Sequence, residues 1–370
     1  MYAPQPERDP FAITRLGVIM RPRPDNPQEE WGALNPACAR GRDGQLYLFP
    51  RIVAEGNYSR IAIARVVFDG DGNPSGVERL GIALEPREPY EQTPRWGGGV
   101  EDPRVTYIPL LDAYVMTYTA LNKLGPRIAL AVSRDLFHWA RLGIVDFAPD
   151  DGIDWNEYHN KDAVVFPEPV MGPEGRPMLA LIHRPNYLVS HHDGVVERRV
   201  PPGVRDERES LWISYADPLA ARQDIGALTR FGQHRQLAVP EARWENVKIG
   251  AGAPPLLTHL GWLLIYHGVF GEIHAVSPED PHQRHLIYSA GAMVLDRADP
   301  RRILYRSKEP ILEPATDEER QGVVDNVVFP CGLDPRTPPA PGSRVDVYYG
   351  MADTLVGAGR ITLPAGLPDR

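Results

Sequence analysis

The chain has 370 residues, 42% of them hydrophobic and 24% charged, which is ample for a packed core and unlike a disordered composition. Its formal charge of −9 at pH 7 supplies no basic field for nucleic acid or an anionic membrane, so any anion must be held by a local cluster of Arg and Lys. The first ten residues lack the basic start and apolar run of a secretory signal, and no apolar run reaches membrane-spanning length, so a soluble, cytoplasmic protein is expected.

With 39 Pro and 34 Gly, the chain is punctuated at intervals that suit short strands joined by turns. A search for self-similarity finds a recurring unit: two apolar segments around a turn, then a third strand-like run. In chain order the units are 35–40, 46–51 and 59–64; 101–107, 114–119 and 126–131; 160–167, 178–185 and 210–215; 252–258, 262–268 and 285–292; and 326–332, 345–353 and 359–363. A fourth run follows at 137–142 and at 303–306. Five repeats of three or four antiparallel strands predict an all-β, five-bladed β-propeller forming a single domain over 1–370. The blades are expected at roughly 33–85, 99–148, 158–235, 250–313 and 323–364. The last repeat stops after its third strand, so an N-terminal strand over 11–20 is expected to close the last blade.

Residues 186–209 read as an insertion, and 298–322 as a short helix with a long loop. The insertion carries His191-His192-Asp193, but adjacent histidines on a loop point in different directions and no further cluster has ligand spacing, so no metal site is expected. Cys38 and Cys331 are read as small buried residues.

The densest chemistry lies in Trp96-Gly97-Gly98-Gly99-Val100-Glu101-Asp102-Pro103-Arg104. Taken alone, it reads as a tight turn entering a strand. In a propeller, however, the inner strand of each blade lines a central channel. At the ends of the hairpin strands the apolar pattern is broken by Asn35, Arg51, Glu101, Asp102, Arg104, Lys161, Asp162, His183, Arg184, Lys248, His267, Asn326 and Asp353. A chain has no structural reason to place all of these at one level of a ring. Carboxylates, amides and cations with aromatics nearby, such as Tyr118, Tyr266 and Tyr288, form a sugar-binding mixture. The cations exceed what a neutral sugar needs, and a small anion would account for them.

Several ordered motifs resemble glycoside hydrolase family 130: Asn35-Pro36-Ala37, Gly99-Val100-Glu101-Asp102-Pro103-Arg104, Asn160-Lys161-Asp162-Ala163, His183-Arg184-Pro185, Lys248 with Gly250 and Gly252, Tyr266-His267-Gly268-Val269, Asn326 to Gly332, and Tyr348-Tyr349-Gly350 with Asp353. The likeness runs from about residue 33 to 361. It implies a five-bladed propeller and cleavage of β-mannosides, with inorganic phosphate as co-substrate and no cofactor or metal. It also implies Asp102 as general acid, reaching the leaving oxygen through a sugar hydroxyl, with Asn35, Arg51, Lys248 and Asp353 on the mannosyl unit. Lys161, Arg184, His267 and Tyr288 would form the phosphate and acceptor side. Glu101 and Arg104, beside the acid, would orient it or the sugar.

If phosphate is the nucleophile it arrives charged, and no second carboxylate is needed as base; a single displacement then inverts the anomeric centre, giving α-mannose 1-phosphate. Two alternatives stand beside this: an inverting β-mannosidase using water, with Asp162 or Glu101 as base, and a non-catalytic sugar-binding propeller. The expected partners are a small oligosaccharide and phosphate, not nucleic acid or membrane; a homo-oligomer is compatible with the sequence but not specified by it.

Overall fold

A computed structural model describes residues 8–93, 97–191, 195–272 and 286–368. Trp96, His192, Asp193 and His285 lie outside the described residues. The described chain folds as a five-bladed β-propeller.

Each blade is a meander of antiparallel strands. Blade I comprises Gly32–Arg40, Leu46–Ala54, Tyr58–Phe68 and Pro74–Leu84, and blade II comprises Gly98–Ile108, Ala113–Asn122, Gly125–Ser133 and Ala140–Ile144. Blade III comprises Asn160–Val165, Pro177–Pro185, Leu211–Ala216 and Arg230–Ala238, and on its outer edge Asp146–Phe147 pairs in parallel. Blade IV comprises Lys248–Ala251, Gly261–Phe270, Ile287–Leu295 and Ile303–Arg306. Blade V comprises Val328–Pro335, Arg344–Met351 and Leu355–Thr362. Its fourth strand is Thr14–Met20, with Thr14 opposite Arg360, so the two ends of the chain share one sheet.

Side chains alternate across a strand, and here both faces are buried between blades. In blade III, Ala163, Val165, Leu179 and Leu181 join the core shared with blade II, while the intervening Val164, Ala180 and Ile182 join the core shared with blade IV. Blades IV and V, V and I, and I and II enclose three further cores of the same kind. Burial on both faces is why these strands read as nearly continuous apolar runs, and why a polar residue within one stands out.

Three expected elements differ in detail. The fourth strand of blade II begins at Ala140 rather than 137, because the Asp135 carboxylate accepts hydrogen bonds from the Phe137 and His138 N–H groups and Leu136 adopts φ 73°, forming a turn there. The expected 252–258 strand is split into Lys248–Ala251 and Leu256–Thr258, since Pro254 and Pro255 cannot donate to a ladder. The closing strand starts at Thr14 rather than 11.

Inner strands of blades I, II and III each carry a β-bulge at one level. The register slips between Leu34 and Ala37, between Glu101 and Arg104, and between Lys161 and Val164. At each bulge an Asn or Asp takes the left-handed backbone that these residues tolerate best: Asn35 (φ 45°), Asp102 (φ 46°) and Asp162 (φ 54°). Pro36 and Pro103 follow two of them, where the ladder needs no donor. The bulge breaks the strict alternation, so consecutive side chains, Glu101 with Asp102 and Lys161 with Asp162, line the same cavity.

Candidate active site

The cavity holds about 550 Å³ and draws on all five blades. Its lining comprises Asn35, Arg51 and Asn57 of blade I, Glu101, Asp102 and Leu121 of blade II, Lys161, Asp162 and Arg184 of blade III, Lys248, His267 and Tyr288 of blade IV, and Phe329 and Asp353 of blade V, with Val323, Val324, Val327 and the 37%-exposed Trp31.

One wall is a carboxylate cluster around a single guanidinium. Arg51 donates from Nη2 to Glu101 Oε1 (2.7 Å) and Asn57 Oδ1 (3.1 Å), from Nη1 to Asp102 Oδ1 (3.3 Å), and from Nε to Ser59 Oγ (2.9 Å). Asn35 Nδ2 donates to the same Asp102 oxygen at 2.8 Å, leaving Asn35 Oδ1 buried without a partner among the described residues. Burial alone would raise the Asp102 carboxyl, but Arg51, Lys161 and Arg104, with the Asn35 hydrogen bond, outweigh it and hold the group below the ordinary carboxylate range. Asp353 is in the opposite case. Burial, aided by the Asp102 and Glu101 charges and opposed by Arg51, lifts it to about 6.

That contrast gives a stability prediction. A folded pKa of about 6, above the unfolded carboxylate value, favours folding only while the group is protonated, and the benefit is lost as pH rises through about 6. Asp353→Asn is therefore expected to gain on the wild type as pH rises, reaching on the order of 2–3 kcal/mol by pH 7.5. Thermal unfolding at pH 4 and pH 7.5 checks it, and a stability difference independent of pH would refute it.

The facing wall is cationic. Arg184 Nε donates to Asp162 Oδ2 at 2.7 Å, and its Nη1 donates to Asn186 Oδ1 at 2.9 Å and to Glu209 Oε2. His267 Nε2 lies 3.5 Å from Asp162 Oδ2, and both ring nitrogens are buried without hydrogen-bond partners among the described residues. Burial drives His267 down to about 3 against the pull of Asp162, so the ring is neutral. Asp162 is held well below the usual range: burial opposes ionisation, but the Arg184 and Lys161 charges overcome it. Lys248, lowered by burial, stands 5.7 Å from the centre of the Tyr288 ring. Neither the Lys161 nor the Lys248 ammonium has an ion-pair partner among the described residues. Gly250 makes the wall possible, since a Cβ there would overlap His267 and Asp162.

A family model described as beta-1,4-mannooligosaccharide phosphorylase matches residues 15–365. The chain belongs to glycoside hydrolase family 130. It is 30% identical, over 92% of its length and 93% of the relative's, to a 1,2-beta-oligomannan phosphorylase of Thermoanaerobacter sp. (strain X514). It is 33% identical, over 72% of its length and 68% of the relative's, to a beta-1,2-mannobiose phosphorylase of the same organism. Among solved structures, a beta-1,2-mannobiose phosphorylase from Listeria innocua in complex with beta-1,2-mannobiose aligns with TM-score 0.65 at 24% identity, covering 95% of this chain and 97% of that one, a likeness of fold.

Of the residues singled out in this family-130 chain, Asn35, Arg51, Glu101, Asp102, Lys161, Arg184, Lys248, His267, Tyr288 and Asp353 all line the cavity. Arg104 does not. It is 1% exposed and braces the bulge from behind, donating from Nη1 to the Asp102 and Pro103 carbonyls and from Nε to the Gly252 carbonyl. His183 is also elsewhere, in a blade III chain in which Nδ1 meets Asn160 Oδ1 (3.1 Å) and Nε2 meets Ser214 Oγ (2.8 Å); burial keeps it neutral, so it adds no charge. Asn326 bridges strands, its carbonyl accepting from the Tyr288 N–H.

Asn57 and Trp31, which line the cavity, and Glu209, which pairs with Arg184, were not legible in the sequence. Asn57 follows Gly56 with φ 58° and reads as a turn. Glu209 closes the 186–209 insertion, whose described part includes the hairpin Leu188–Ser190 and Val196–Arg198, and only the fold brings it to Arg184.

Proposed function

We propose that this enzyme is an inverting phosphorylase that transfers a mannosyl unit from a β-mannoside to inorganic phosphate, releasing α-mannose 1-phosphate. One observation carries the reading: beside the Asp102 carboxylate, the same cavity presents Lys161, Lys248 and Arg184, and the first two make no ion pair among the described residues. Ammonium groups with no carboxylate at ion-pair distance are free to take the oxygens of a bound anion. The names of the curated relatives, all mannoside phosphorylases, support the same chemistry.

In this reading Asn35, Arg51, Glu101 and Asp353 hold the sugar hydroxyls, with Asp102 among them. Phosphate lies against Lys161, Arg184 and Lys248 and attacks the anomeric carbon from the face opposite the leaving oxygen. Lys161 is one of the charges that keep Asp102 ionised. A dianion beside Lys161 cancels part of that potential, so Asp102 takes up its proton as phosphate binds and passes it toward the leaving group.

Purified enzyme incubated with β-1,2- and β-1,4-manno-oligosaccharides should release sugar only when phosphate is supplied, with an α-configured sugar phosphate observed by NMR. Equal release in phosphate-free buffer would replace phosphorolysis with hydrolysis.

A further inference from the structure

A carboxylate inside an anion subsite calls for an explanation. Asp162 lines the cavity between Lys161 and the Arg184 and His267 side chains. Its two oxygens are not equivalent. Oδ2 accepts from Arg184 Nε at 2.7 Å and stands 3.5 Å from His267 Nε2, whereas Oδ1 is buried and has no hydrogen-bond partner among the described residues. The group is held rigidly by the bulge, by its left-handed backbone (φ 54°) and by the Arg184 pair. Arg184 and Lys161 keep it ionised, and an ionised carboxylate can only accept hydrogen bonds.

A buried acceptor facing an anion is repulsive unless the anion brings a hydrogen. Near neutral pH, phosphate carries a P–OH; sulfate carries no hydrogen. We propose that Asp162 makes the anion subsite selective for a protonated oxyanion: Oδ1 accepts the hydrogen of monohydrogen phosphate while Lys161, Arg184 and Lys248 take its charged oxygens, and sulfate is excluded. This rests on the phosphorolysis reading and gives Asp162 a role as a specificity residue rather than as a base for water. A carboxylate pinned by Arg184 is a poor base, while a fixed acceptor that must be satisfied discriminates strongly against a ligand lacking the donor.

The test is a competition series at constant ionic strength and pH 7.5, with arsenate and sulfate against phosphate in the phosphorolysis assay. Arsenate, which also carries a hydrogen, should compete within a few-fold of phosphate, and sulfate at least about 100-fold more weakly. Asp162→Asn suits the left-handed backbone and adds an N–H donor, so the ratio of sulfate to phosphate affinity should rise by at least about 10-fold. A merely structural role would weaken both anions alike. Sulfate competing as well as arsenate in the wild type, or an unchanged ratio in the variant, overturns the proposal. The wild-type series decides it even if the variant does not fold. If turnover proves independent of phosphate, the phosphorolysis reading falls; calorimetric titration of the same three anions into the wild type then still decides the selectivity.

Discussion

Asp102→Asn is expected to lower kcat on a manno-oligosaccharide by about 10²–10⁴-fold, the range for losing a positioned general acid, with sugar binding changed only a few-fold. The substitution leaves the geometry in place: Asn tolerates the φ of 46° at this bulge, and its side-chain oxygen can still accept from Asn35 Nδ2 and Arg51 Nη1. What it removes is the transferable proton. A β-mannoside with a leaving group that departs without protonation should therefore lose much less in the variant than the natural substrate does. Comparing the two substrates checks this. An equal loss on both would assign Asp102 to binding and remove it as the acid.

The second large effect is expected at Arg184. Arg184→Ala strips the counter-ion from Asp162, whose side chain is fully buried, and from Glu209. Breaking a buried pair by deleting one partner leaves an uncompensated charge and costs about 3–5 kcal/mol. Phosphate should lose one of its cationic contacts at the same time, so the KM for phosphate rises while unfolding shifts to lower denaturant.

The pH dependence separates this charge effect from simple loss of packing. In the wild type the folded Asp162 pKa is depressed, so its pairing contributes stability above the unfolded carboxylate pKa, and the contribution disappears as pH falls through the depressed value. Without Arg184, burial dominates and raises the pKa instead, so the deficit of the variant should shrink as pH falls. Urea unfolding of both proteins at pH 7.5 and pH 5 measures the difference. A deficit unchanged across that interval would mean that the lost guanidinium mattered for packing rather than charge.

Much of this protein follows from the order of its residues. Strands buried on both faces require apolar residues at consecutive positions, so five repeats of paired apolar runs specify five blades, and polar residues within such runs, such as Glu101-Asp102 and Lys161-Asp162, stand out against them. The family motifs add the identity of the site because they recur at one level in successive blades.

What the order of residues left undecided is which polar residue turns inward. Arg104 and His183 interrupt strands in the same way as Asp102 and Arg184, yet Arg104 is spent on backbone carbonyls behind the wall and His183 on a hydrogen-bonded chain inside blade III. At Glu101-Asp102 and Lys161-Asp162 the choice is made by the β-bulges, which set two neighbouring side chains on one face; a bulge depends on the register with the next strand, which no local pattern encodes. Charge states are likewise tertiary. Asp102 and Asp353 are the same side chain with opposite shifts: burial raises both, but Arg51, Lys161, Arg104 and an Asn35 hydrogen bond outweigh it at Asp102, whereas at Asp353 the Asp102 and Glu101 charges add to burial against Arg51 and Lys161. Burial and partners set those shifts, and both exist only once the ring has closed.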